Sequence, residues 1–105
     1  MPGVTTVDRN RLLKELLTRS IKETLEELPR TTEVFRAKEY DLNKVVTNEL
    51  DFLLGAVFSQ ILYRYSIYCW NRRINPTSAE ATAVNISLFA KASEYRDAIK
   101  KLAGL

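Results

Sequence analysis

Carboxylates in this 105-residue chain fall into two close pairs, Glu23 with Glu26 and Glu94 with Asp97. Side chains three apart share one face of a helix, so two such pairs on neighbouring helices could hold a hard cation such as Mg²⁺ through oxygen ligands. One thiol, Cys69, sits between Tyr68 and Trp70. With no histidine anywhere in the chain there is no imidazole to activate it, and a small buried hydrophobe is the expected role. A single cysteine also excludes an internal disulfide and a Cys-rich zinc site. The three glycines stand at positions 3, 55 and 104, which leaves no phosphate-cradling loop, and no G-x-S-x-G turn occurs. These residues predict no enzyme, no metal and no cofactor.

The two acidic pairs resemble the E-x-x-E and E-x-x-D motifs of MazG-type nucleotide pyrophosphatases, all-helical enzymes. That resemblance implies metal-dependent nucleotide hydrolysis with Glu23, Glu26, Glu94 and Asp97 as ligands. The spacing departs from the family's: almost a whole helix separates the pairs here, where the family has them close in sequence. The preferred reading is two solvated helix faces.

The segment Tyr63-Arg64-Tyr65-Ser66-Ile67-Tyr68-Cys69-Trp70-Asn71-Arg72-Arg73 interleaves aromatic rings with cations. Arg64, Tyr68 and Arg72 fall four apart on one helical row. Rings and guanidinium groups in this arrangement could stack on bases and hold phosphates. The same residue types are also enriched at protein interface centres, or they could pack into a bundle with only their polar tips wet. The expected function is therefore a non-enzymatic interaction or assembly module with Arg64, Tyr68, Trp70, Arg72 and Arg73 as binding residues. The alternative is a DNA- or RNA-binding helical protein using the same segment. A net charge of +3 disfavours strong nonspecific affinity for nucleic acid.

The elements that must position these residues are helical. Few glycines and prolines argue against a sandwich or barrel, and 46% hydrophobic with 28% charged residues is ordinary for one globular domain spanning 1–105. Thr5 and Asp8 open a first helix with an apolar stripe of Leu13, Leu17, Ile21 and Leu25, and Pro29 stops it. Thr31 or Thr32 can cap a short helix within 31–40, though a structured loop fits nearly as well. Asp41 is expected to cap a second helix running to about Arg73. Asn75-Pro76 breaks it, and Thr77 with Glu80 forms a capping box for a third helix. This last one carries Leu88, Ala92, Tyr95, Ile99 and Leu102 at heptad-like spacing, and Lys100, Lys101 and Gly104 end it. The fold class is all-α: an elongated bundle of three long helices plus the short one.

The second helix carries three apolar stripes: Val46, Leu50, Leu53, Val57 and Ile61; Leu54, Phe58, Ile61, Tyr65 and Cys69; and Phe52, Ala56, Tyr63, Ile67 and Trp70. Thirty-three residues would span about 50 Å, beyond the diameter of a compact monomer of this size. Either the helix kinks near Gly55, or it protrudes, or the molecule is an elongated bundle in which a second copy completes its cover. A homodimer is expected, with Leu50, Leu53, Leu54, Val57, Phe58 and Ile61 at the contact. The apolar window around this helix includes Asp51, Gln60 and Arg64, which disfavours a membrane span, and no small-molecule substrate is inferred. The N-terminal residues lack a charged stretch followed by an apolar one, so no signal peptide is expected and the expected location is cytoplasmic.

Overall fold

The computed structural model describes residues 6–35 and 48–104. They form five helices: α1 (Thr6–Glu26), α2 (Leu28–Phe35), α3 (Glu49–Asn71), α4 (Ser78–Ala90) and α5 (Ala92–Ala103). There is no strand among the described residues, and the molecule measures 55 × 25 × 22 Å. The fold is all-α and elongated.

Pro29 acts differently from the expected stop. It lies in the first turn of α2, where its missing N–H costs little. Hydrogen bonds from the Glu27 N–H to the Glu23 carbonyl (3.2 Å) and from the Thr31 N–H to the Glu27 carbonyl (3.0 Å) carry the chain across the break. Pro29 therefore interrupts the helix and the chain re-enters one at once. The short helix begins at Leu28, three residues before the expected segment, and residues 36–40 of that segment lie outside the described residues.

Helix α3 starts later than expected. Asn48 has an extended backbone (φ −130°, ψ 99°), and its side-chain oxygen accepts the Asp51 N–H at 3.0 Å. That N-cap fixes the start at Glu49, so the helix cannot run unbroken from Asp41, which itself lies outside the described residues, as does Val46. The remaining 23 residues span about 35 Å and pass through Gly55 as continuous helix. At its end the Arg73 N–H reaches the Trp70 carbonyl (2.9 Å) and the Ile74 N–H reaches the Cys69 carbonyl (2.8 Å). This is the paired-bond helix stop that usually places glycine in the left-handed position. Here Arg73 occupies it, at φ 56°.

The expected third helix is two. Lys91 closes α4 and opens α5 with φ −104° and ψ 10°. No glycine or proline marks this break. The Thr77–Glu80 capping box is present, and Gly104 ends α5 in the left-handed conformation, both as expected.

The core lies where α3 packs between α1 and α5. Leu53, Val57, Ile61, Tyr65 and Cys69 form its spine, flanked by Leu13, Leu16, Leu17, Leu28, Val84, Leu88, Tyr95 and Ile99. Leu53, Val57 and Ile61 are fully buried by the chain's own helices and present no surface to a second copy. Leu50, Leu54 and Phe58 are half-buried and pack against the same core. The α1 stripe is rotated from the expected one. Ser20 and Thr24 are fully buried, while Ile21 and Leu25 move to the flank. Burial of the two hydroxyls is tolerable because each donates within its own helix, to the Leu16 carbonyl (2.7 Å) and the Ser20 carbonyl (2.8 Å). In the expected heptad, Leu88, Tyr95 and Ile99 face the core, but Leu102 is exposed.

Candidate interaction surface on helix α3

The basic-aromatic segment divides between two faces of α3 with different surroundings. Towards α1, Arg64 and Tyr68 are absorbed into a polar seam. The Arg64 guanidinium donates to Glu23 at 3.2 Å and to Glu27, and the Tyr68 hydroxyl donates to Glu23. Arg19 donates to the other Glu23 oxygen at 2.8 Å and lies 4.4 Å over the Tyr68 ring. The Tyr68 hydroxyl, and after it Arg19, holds the Glu23 carboxyl below its ordinary range, and the Glu23 carboxylate raises the Tyr68 phenol in return. Glu23 is thus the acceptor of an intramolecular network, not the solvated carboxylate its spacing suggested. Arg64 is half-buried, with its charge matched by two carboxylates. It is poorly placed to hold a phosphate.

Away from α1, the third apolar stripe stays open. Tyr63, Ile67 and Trp70 are 68%, 38% and 81% exposed. Positions i, i+4 and i+7 place them on one face. A shallow groove of about 620 Å³ runs beside Tyr63 and Ile67 to Arg64, Tyr68 and Glu27. At the C-terminal end of α3 a second cleft of about 600 Å³ is lined by Trp70, Asn71, Arg73, Ile74 and Asn75. Arg72 and Arg73 are exposed there and have no ion-pair partner among the described residues. Holding a non-glycine residue in the left-handed region costs about 1 kcal/mol, so the Arg73 side chain is displayed at some expense to the fold.

Of the five expected binding residues, then, Trp70, Arg72 and Arg73 stand on open surface, and Arg64 and Tyr68 do not. Tyr63 and Ile67 join the surface group. Their membership of the Trp70 stripe was the signal that could have included them.

The acidic pairs do not build a metal centre. Among the described residues no three of His, Cys, Asp and Glu gather where they could hold an ion. Glu23 is engaged as above, whereas Glu94 and Asp97 lie on the exposed face of α5. Cys69 is buried, and burial pushes its thiol up, away from the thiolate a nucleophile needs. Two core hydroxyls, Tyr65 and Tyr95, lack a hydrogen-bond partner among the described residues, and burial raises both phenols. No described helix is long and apolar enough to cross a membrane. Compared with known proteins, the chain matches no family model, no curated protein and no solved structure.

Proposed function

We propose that this chain is a non-enzymatic helical interaction module that binds another protein through the outer face of α3. The observation that carries the reading is the open row Tyr63–Ile67–Trp70, ending beside Arg72 and Arg73, which have no ion-pair partner among the described residues. Isolated exposed apolar residues are ordinary, but three large ones on one helix face beside a groove form a patch of the kind that marks interfaces. Tyrosine, tryptophan and arginine also supply much of the binding energy where interfaces have been dissected. Nucleic acid is the weaker reading, because of the three arginines in segment 63–73 Arg64 is neutralised by Glu23 and Glu27, which leaves Arg72 and Arg73 for phosphates.

Trp70 is the chain's single tryptophan and reports directly on this surface. A photo-crosslinking side chain at position 67 should give discrete protein adducts in cells, while the same group at position 97 should not. Adducts to nucleic acid at position 67, with salt-sensitive quenching of Trp70 fluorescence by oligonucleotides, would replace the protein reading with the nucleic-acid one.

A further inference from the structure

Helix α4 has an inner face and an outer face, and both are apolar. Val84 and Leu88 are buried inward, at 8% and 3% exposure. On the opposite side Ala79, Thr82, Ala83, Ile86, Phe89 and Ala90 are all exposed, with Ile86 at 63% and Phe89 at 69%. At 100° per residue these six fall within an arc of roughly 120°; it points away from the core except at its edge, where the Phe89 ring packs edge-on against Phe58 at 5.6 Å. The helix's single charged residue, Glu80, is occupied by Arg9 and by the backbone N–H of Thr77. The outer face therefore carries no charge at all. A helix apolar on both sides needs cover on both.

We infer that the chain forms a two-fold dimer in which the outer faces of two α4 helices pack antiparallel. Two features of the face select a second copy as the occupant. First, an uncharged surface offers a charged partner nothing to pair with, but it meets itself without repulsion. Second, its sizes are self-complementary along an antiparallel seam. The seam Ala79–Ala83–Ile86–Ala90 is spaced 4, 3, 4, which reads the same in both directions. A two-fold axis between positions 84 and 85 sets Ala83 opposite the Ile86 position of the other helix, Ala79 opposite Ala90, and Thr82 opposite Ser87. Along the seam Ile86 then meets Ala83 and the end alanines meet each other, which is the condition for close helix packing, while Phe89, level with Glu80 of the other helix, stands at the edge of the contact. A parallel pairing would set Ile86 against itself and leave voids between alanines.

The contact is small. Ile86 and Phe89 leave roughly 250 Å² of side chain uncovered in each copy, and the whole seam buries on the order of 1,000 Å², the low end for a specific complex. Association in the micromolar range follows. It does not involve the outer face of α3, so the dimer stands or falls independently of the protein-binding surface there.

Sedimentation of the full chain from micromolar to submillimolar concentration should show mass rising from 12.1 kDa towards twice that value. Ile86→Glu should weaken association by roughly tenfold or more without changing the helical melt, because the side chain is exposed in the single chain. Ala90→Lys serves the same purpose should Ile86→Glu fail to fold, and Trp70→Ala should dimerise like the parent. A monomer at every concentration overturns the dimer, and a folded Ile86→Glu or Ala90→Lys that still associates overturns its placement on α4. Oxidising an equimolar mixture of Ala83→Cys and Ile86→Cys chains should give mainly the mixed disulfide, since Cys69 is buried. Self-paired products in excess would overturn the antiparallel register.

Discussion

Val57, midway along α3, is fully buried, whereas Ile86, midway along α4, is 63% exposed, although both helices are apolar on nearly every side. The difference lies in neighbours. Helix α3 runs between α1 and α5 and has two of its three stripes covered within the chain. Helix α4, 13 residues long, turns its inner face to the core through Val84 and Leu88 and leaves the other side open. Apolar character on every side therefore marks a helix that needs covering, but it does not say whether the cover comes from the same chain. The expected dimer contact was placed on the helix with the longest apolar run, and that run is the part the fold had already used.

The sharpest test of this contrast is Val57→Glu. A carboxylate there would be buried in a dry core without a partner, a loss of about 4 kcal/mol or more. Circular dichroism should show an unfolded or barely folded monomer at every concentration. A folded variant that merely fails to associate would return the core of α3 to the role of an intermolecular contact. Next in size is a pair of alanine substitutions on opposite sides of α4. Leu88→Ala should cost about 2–4 kcal/mol, the usual range for a buried leucine. Ile86→Ala, measured by denaturant unfolding at concentrations too low for association, should cost less than about 1 kcal/mol. Equal losses would mean that α4 is covered on both sides within one chain.

A smaller effect, of opposite sign, is expected at Gly55. Helix α3 runs through Gly55, the position of the alternative kink, as one uninterrupted helix, and a methyl group added there would meet open space. Gly55→Ala should raise stability by about 0.5–1 kcal/mol, because glycine is the poorer helix former and α3 asks nothing special of it. A loss in the melting experiment would show that α3 bends at this position.

The elements that were legible in the sequence are those set by local chemistry. Thr77 and Glu80 cap α4 because the bonds they make are three residues apart, and Pro76 and Gly104 act on their own backbone. Asn48 was passed over for Asp41 because either residue type caps a helix and the apolar pattern did not separate them. The break at Lys91 has no local signature at all: it divides a heptad whose members Leu88, Tyr95 and Ile99 still reach one core. Ser20 and Thr24 were hidden for another reason, since hydroxyls that bond within their own helix can be buried without any apolar signal. The interaction surface was half legible. Tyr and Arg types pointed to residues 63–73, but which of them face solvent depends on Glu23 and Glu27, roughly forty positions away in the chain. Only the fold brings those carboxylates to Arg64 and Tyr68.

The same long-range polar pairing supplies the smallest expected effect, visible mainly in acid. Arg9 on α1 reaches the start of α4 through two bonds to Glu80, at 2.8 and 2.9 Å, and a third to the Asn75 carbonyl at 3.1 Å. The Arg9 guanidinium, followed by the Thr77 backbone N–H, holds the Glu80 carboxyl down to about 2. In an unfolded chain a glutamate titrates near 4.3. Between those values the unfolded chain binds the proton and the folded one does not, so protons favour unfolding. The contribution of Glu80 is therefore complete above about pH 4.3 and drains away as pH falls towards 2. Glu23, lowered by the Tyr68 hydroxyl and Arg19, acts in the same direction. The melting temperature should stay level from neutral pH to about pH 5 and then decline. Glu80→Gln should lower it slightly at neutral pH, where the ion pair is lost, and flatten the decline in acid, where the parent loses that pair anyway. An acid profile identical to the parent's would show that the Arg9–Glu80 link adds nothing to folding and that α4 is held by Val84 and Leu88 alone.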